Sequence, residues 1–267
     1  MKAFLQHNLV QRAITVVIGA PIVIWVTVEG RPWFDMMALA VAVITAVELH
    51  HMARPGVWLN WPTLASILVV IMVSLLIQVS FLAVIGLLVL IGLWYLWVRV
   101  NGERAYWQWD YLLAVMGAFY IGIPLGIVLL IRHHDDGLGW TLLLFASNWG
   151  TDAFALLGGR LFGKSKLAPR ISPGKTVEGA LIGFFSGVIL GLWVAAGFEL
   201  PLGIALLAVL LIGGLSIVGD LLESSIKRFF GVKDTSGLLP GHGGFLDRID
   251  GLLLAAPSLY ALMLIFL

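Results

Sequence analysis

Residues 62–98 read PTLASILVVIMVSLLIQVSFLAVIGLLVLIGLWYLWV, thirty-seven positions without one charged side chain. A single helix over this stretch would be about 55 Å long at 1.5 Å per residue, while a bilayer core is only about 30 Å thick. The stretch is therefore expected to cross a membrane twice, turning near Gln78 and Ser80. The rest of the chain agrees. Of 267 residues 60% are hydrophobic and 12% charged, with a mean hydropathy of +1.02, whereas soluble domains carry roughly a quarter charged residues. The fold class expected is all-α, a polytopic integral membrane protein.

Working outward, nine spans are predicted, at about 13–28, 34–52, 62–79, 80–98, 111–131, 140–158, 177–198, 202–222 and 251–267. The basic residues test that count, because cytoplasmic loops retain Lys and Arg. With a cytoplasmic N-terminus the inner segments hold Lys2, Arg12, Arg54, Arg99, Arg104, Arg160, Lys164, Lys166, Arg170, Lys175, Lys227, Arg228, Lys233 and Arg248. The outer loops hold Arg31 and Arg132 alone. Such a division puts the C-terminus outside, and the location expected for the multi-pass chain is the cell's inner, cytoplasmic membrane. The basic head and apolar stretch Ala13 to Val28 resemble a signal peptide only superficially, since no small-x-small cleavage site follows. With no cysteine, disulfides and thiolate metal sites are excluded. A nucleic-acid role has no support, because the few basic residues are sorted by membrane side.

Composition divides the chain into an N-terminal transmembrane region, 1–132, of about five helices and a C-terminal catalytic region, 133–267. The first is chemically plain, with Trp33, Trp58, Trp61, Trp107 and Trp109 near the expected interfaces. The second carries two charged, Gly- and Pro-rich cytoplasmic loops, 159–176 and 223–250. Acids inside or at the ends of spans are costly in lipid and suggest a site. Asp152 falls within the sixth span and Asp220 at the end of the eighth. Asp220, Glu223 and Lys227 share one helical face, with Ser224 and Arg228 alongside. If the last helix begins near Leu246, Asp247 and Asp250 project together one turn apart.

Carboxylates at such a boundary suit Mg²⁺, which takes one or two of them and fills its other positions with water and phosphate. Phosphate chemistry needs cations beside the metal. Lys227, Arg228, Lys233, His242 and Arg248 supply them from the last loop, and Lys164, Lys166 and Lys175 from the earlier one. Gly241-His242-Gly243-Gly244 would let backbone N–H groups approach phosphate, although a glycine hinge explains the run equally well. Gly174-Lys175-Thr176 is not a P-loop, because Pro169 stands where that motif needs glycine. His133, His134, Asp135 and Asp136 read as a solvated outer loop, and His50 and His51 beside Glu48 as interfacial.

From Ser224 to Asp250 the pattern S-x-I-K-R, four residues, K-D-x-S, then P-G-H-G-G-F-x-D-R-I-D resembles the signature of bacterial phosphatidate cytidylyltransferases, the CDP-diglyceride synthetases. Trp149 to Gly179, containing WGTD, GRLFGKSKLAP and ISPGKTVEG, is similar to that family's other well-marked stretch. The chain departs from the family at Leu156, where many members carry tyrosine, and at Gly251, where serine is common. Nothing is carried over from the first 130 residues. The resemblance implies attack by the phosphate of phosphatidic acid on the α-phosphorus of CTP, releasing pyrophosphate and CDP-diacylglycerol, with a divalent cation. The partners expected are CTP, phosphatidic acid, membrane lipid and a second copy of the chain. Asp220 and Asp247 are the expected primary metal ligands, with Asp152 or Asp250 as further ligands or support. Lys227, Arg228 and Lys233 are assigned to phosphates, and His242 and Arg248 to CTP. Ser224, Gly243 and Gly244 are expected at the substrate, over which Lys164, Lys166, Ser172 and Lys175 close. The rival readings are a cytidylyltransferase for an isoprenoid or ether-lipid phosphate, and a transporter of anionic solutes. The transporter predicts matched halves with broken helices in each.

Overall fold

The computed structural model describes residues 2–54, 61–77, 107–239 and 243–267. Long apolar sequences satisfy their backbone internally only as helices or closed barrels when water is absent. Helix is what forms. The elements are α1 (Lys2–Glu29), α2 (Trp33–Ala53), α3 (Trp61–Ile77), α4 (Trp107–Gly117), α5 (Ile123–His133), α6 (Gly137–Phe162), α7 (Val177–Gly197), α8 (Leu202–Phe229) and α9 (Leu246–Phe266). The expected fourth span, residues 80–98, lies outside the described residues, as does the turn near Gln78 and Ser80.

Among the described residues five helical segments are long and apolar enough to cross a membrane: Trp33–Ala53, Asp110–His133, Val177–Gly197, Leu202–Phe229 and Leu246–Phe266. The protein is an all-α membrane protein. The expected fifth span is one rod in which α4 and α5 are joined by a π-helical turn, Ala118–Gly122. Pro124, in the first turn of α5, has no N–H to give the carbonyl of Tyr120, which removes one α-helical bond at this point.

The expected loop 159–176 is shorter than predicted and partly ordered as sheet. α6 continues to Phe162, and an antiparallel hairpin follows, β1 (Lys166–Ala168) with β2 (Ser172–Thr176). Thr176 Oγ1 accepts the Gly179 N–H at 3.2 Å, capping α7. Glu178 accepts from the amides of Lys164 and Ser165 at 3.0 and 3.1 Å, fastening the hairpin to the start of that helix. The loop expected at 223–250 is likewise trimmed, because α8 runs on to Phe229. Gly231 at φ +74° ends it, with Val232 donating to the Lys227 carbonyl and Gly231 to that of Arg228, the paired bonds of a glycine-terminated helix.

Among the described residues the closest helix packing is between α6 and α7. The buried residues of α7 are Gly179, Gly183, Gly187, Gly191 and Ala195, one small residue per turn. A Cβ added at Gly183 would stand 2.7 Å from the Ala155 Cβ, and one at Gly187 would stand 2.6 Å from the Ser147 carbonyl oxygen. With no hydrophobic drive between helices in lipid, such close backbone approach is a main source of attraction. The outward face of α7, with Leu181, Phe185, Ile189 and Trp193, is exposed.

Candidate active site

The centre of the site is where α8 ends and α9 begins. A Cβ at Gly219 would lie 2.6 Å from the Asp250 carbonyl oxygen and 3.0 Å from Gly251 Cα. The two helices therefore touch backbone to backbone, and Asp220 is brought beside Asp250. α9 starts at Leu246, so Asp247 and Asp250 are one turn apart as the spacing predicts. Asp220, Glu223 and Asp250 each offer an oxygen within 4.8 Å of the others.

Asp247 is turned away from that group and fully engaged. Its Oδ1 accepts from Lys227 Nζ at 2.5 Å. Its Oδ2 accepts from the Gly244 amide at 2.7 Å and from the Thr235 amide and hydroxyl at 3.0 and 2.9 Å. Lys227 also donates to Glu223 Oε2 at 2.7 Å. Glu223 is thereby half satisfied: it is 1% exposed, and its Oε1 is buried with no hydrogen-bond partner.

Other groups converge on the same end of the bundle. Lys175, from β2, forms an ion pair with Asp220. Asp152, from α6, accepts from Ser216 at 3.5 Å and lies within electrostatic reach of Asp250, Asp220, Arg248 and Lys175. Below the acids, the hydroxyls of Ser147 and Tyr120 and both polar atoms of Asn148 are buried without partners. Tyr120 sits on the π-helical turn, a deformation often found at functional positions. Its ring is within electrostatic reach of Glu223, Asp250, Asp220 and Asp247.

The remaining expected residues lie around this centre. Arg228 donates to the Ile171 carbonyl at 3.3 Å and the Val232 carbonyl at 3.0 Å, tying α8 to the hairpin. Lys164, Lys166, Lys233 and Arg248 are exposed, Ser172 is half-buried and Ser224 is buried. His242 lies outside the described residues. Gly243 has φ +79°, and a Cβ there would stand 2.5 Å from Asp247 Oδ2. The Gly244 N–H is taken by Asp247, so these glycines admit an internal carboxylate closely.

Besides Tyr120, a second residue at the centre comes from the first 130. Glu48, near the C-terminal end of α2 and 3% exposed, accepts from the amides of Phe245 and Leu246 at 2.9 and 2.8 Å and from the Ser236 hydroxyl at 2.6 Å. Tyr120 and Asn148 also had no signal in charge patterning. Glu223 did, through its place on the face shared by Asp220 and Lys227, yet acid position alone favoured Asp220 and Asp247 as the pair.

Chemically, five carboxylates, Asp152, Asp220, Glu223, Asp247 and Asp250, face the two ammonium groups of Lys175 and Lys227. Buried charge is tolerated when it is paired or holds a metal. Hard oxygen donors, a surplus of negative charge and the orphan Glu223 Oε1 together fit a divalent cation of the Mg²⁺ kind at Asp220, Glu223 and Asp250.

Comparison with known proteins identifies the family. The sequence matches the cytidylyltransferase family over residues 10–266. It is 35% identical over 271 residues to the phosphatidate cytidylyltransferase of Brucella abortus biovar 1 (strain 9-941), covering 97% of this chain and 94% of that protein. It is 40% identical over 157 residues to the enzyme of the same name from Staphylococcus saprophyticus subsp. saprophyticus, covering 58% of this chain and 60% of that one. With the match running nearly end to end across the carboxylate cluster and the helices that build it, the chain belongs to the cytidylyltransferase family.

Proposed function

We propose that this protein is a CTP:phosphatidate cytidylyltransferase: it transfers CMP from CTP to phosphatidic acid, giving CDP-diacylglycerol and pyrophosphate for phospholipid synthesis. The observation that carries the reading is the meeting of Asp220, Glu223 and Asp250 at one end of an apolar helix bundle, in a chain 35% identical along its length to a protein of that name.

In this reading Asp220, Glu223 and Asp250 hold a divalent cation, most simply Mg²⁺, with Asp152 facing it from α6. When bound, the cation neutralises charge on the nucleotide's phosphates and on departing pyrophosphate. Asp247 is reassigned from ligand to support, since both its oxygens are occupied and one of them holds Lys227. Lys227 sets the orientation of Glu223. Lys175 is placed to leave Asp220 for an incoming phosphate, and the hairpin bearing it is the element that closes over substrate. Arg248, Lys233, Lys164 and Lys166, exposed around the rim, draw in the anionic nucleotide and lipid headgroup. No covalent intermediate is required: positioning two substrates and stabilising charge supply the acceleration.

The site then faces the cytoplasm, whence CTP arrives, while acyl chains stay in lipid. Helix direction supports this topology. The C-terminal ends of α2, α6 and α8 and the N-terminal ends of α7 and α9 meet at the site. Arg132 donates to the carbonyls of Thr27 and Val28 at the opposite end. Nine spans with N-terminus and site on one side would give this alternation.

The test is incorporation of labelled CTP into lipid by the purified protein, offered phosphatidic acid, an isoprenoid phosphate and an ether-lipid phosphate in parallel. Turnover of phosphatidic acid at least tenfold above the others is expected. Preference for another lipid phosphate would move the assignment within the family. Absence of CMP transfer to every lipid would overturn it.

A further inference from the structure

We propose that Glu48, in the otherwise chemically plain first part of the chain, is a positioning residue for the reaction: it holds Thr235, Ser236 and the first turn of α9 so that Asp247 and Lys227 in turn set the carboxylate cluster. The inference rests on the cytidylyltransferase reading above.

The argument begins with Glu48's surroundings. It lies on the buried face of α2 with Thr45, Leu49 and Met52, at a depth where a carboxylate is costly unless its oxygens are well supplied with donors. They are supplied by a segment almost two hundred residues away. Oε1 accepts from Ser236 Oγ at 2.6 Å and from the Phe245 amide at 2.9 Å, and Oε2 from the Leu246 amide at 2.8 Å, with Thr235 Oγ1 at 3.5 Å.

Two of those donors belong to the start of α9, where N–H groups have no intrahelical partner and the helix dipole favours an anion. Glu48 thus caps a helix from another part of the chain. The segment it grips also carries the donors to Asp247: Thr235 gives Asp247 Oδ2 both its amide and its hydroxyl, and Gly244 gives its amide. Asp247 Oδ1 fixes Lys227, and Lys227 fixes Glu223. A chain of short contacts therefore runs from Glu48 to the buried acid with the unpartnered oxygen.

Gly244 gives a second, independent sign of fit. A Cβ at that position would stand 2.5 Å from Glu48 Oε1 and 2.7 Å from its Cδ. Glycine there leaves the space that the carboxylate occupies.

The experiment compares wild type, Glu48→Gln, Glu48→Asp and Ser236→Ala as purified full-length chains in vesicles containing phosphatidic acid. Glu48→Gln turns an amide N–H₂ toward backbone donors, and a kcat loss of about 10- to 100-fold is expected, as for residues supporting catalytic ligands. The Mg²⁺ concentration for half-maximal rate should rise severalfold, while KM for phosphatidic acid changes less than twofold. Ser236→Ala should lose about 3- to 10-fold in kcat by the same route. Glu48→Asp, which keeps the charge, should recover part of the rate. Hydrogen exchange should quicken in 235–247 in Glu48→Gln and stay unchanged in α7.

A wild type that fails to transfer CMP sinks the function and not this link. An active wild type with Glu48→Gln at full kcat and unchanged Mg²⁺ dependence overturns the proposal. So does a loss of folded protein without any change of kcat or Mg²⁺ dependence per folded molecule. If Glu48→Gln does not fold, Ser236→Ala decides alone: unchanged kcat and exchange would count against the inference.

Discussion

At the end of the bundle where α1 meets the turn between α5 and α6, Arg31 Nε lies 3.0 Å from the His133 ring, Asp35 lies 2.7 Å from the same ring, and Arg132 donates to the Thr27 carbonyl at 2.7 Å. At the other end five acids meet two lysines, and a Glu223 oxygen is buried with no partner. Both ends are charged and both lie beside apolar helices. At the first, opposite charges meet and an arginine closes the carbonyls at the end of α1, the arrangement expected of a structural fastening. The second keeps like charges together, an unfavourable arrangement that the proposed cation would relieve. What separates fastening from site is the balance of charge.

The sharpest way to break this comparison is to neutralise one acid at each end. Asp220→Asn and Asp250→Asn should each lower kcat by about 10³-fold, the scale of losing a group that acts on transition-state charge, whereas Asp35→Asn should leave kcat within about twofold. Labelled-CTP incorporation measures all three. Equal losses at both ends would erase the distinction.

A smaller effect tests how the acids are brought together. In Gly219→Val the new side chain meets the Asp250 carbonyl and Gly251 Cα, backbone atoms that cannot yield without moving α9. Destabilisation of about 1–3 kcal/mol is expected from such overpacking, with kcat reduced about 100-fold because Asp250 moves away from Asp220. Thermal unfolding in detergent and the transfer assay read the two parts.

Smaller again, Arg132→Ala should cost about 1–2 kcal/mol of stability through the carbonyls of Thr27 and Val28 and leave kcat unaltered. If the unpartnered Tyr120 hydroxyl donates to bound substrate, Tyr120→Phe should lower kcat by about 2- to 5-fold, the scale of one modest hydrogen bond, without changing the melting midpoint by more than about 2 °C. If Tyr120→Phe were neutral, the hydroxyl would belong with the passive packing of the π-helical turn.

Hydropathy made most of the helices legible, and helical spacing made legible the acid face of α8 and the start of α9 at Leu246. Those features are local, set by neighbours three or four positions apart. Glu48 was illegible because its partners lie at positions 235–246: its own surroundings, beside His50 and His51, read as an ordinary interface. The ion pair of Lys175 with Asp220 was hidden for the same reason. The extension of α8 to Phe229 was half legible: the shared face of Asp220, Glu223 and Lys227 already carries the helix past 222, Lys227 and Arg228 suit its last turn, and Gly231 supplies the stop. The i, i+4 glycines of α7 were also in plain view, with the small-residue spacing of helices packed in membranes.

The grip of Glu48 on α9 also bears on how the protein is assembled. The first turn of α9 obtains two of its capping contacts from α2, a segment almost two hundred residues earlier in the chain. If N-terminal units form first during synthesis, as they generally do, α2 is in place as a template when the final helix arrives. A fragment carrying only 133–267 would present the Phe245 and Leu246 amides to an apolar void, so the two fragments, made separately, should regain turnover only when produced together in one membrane.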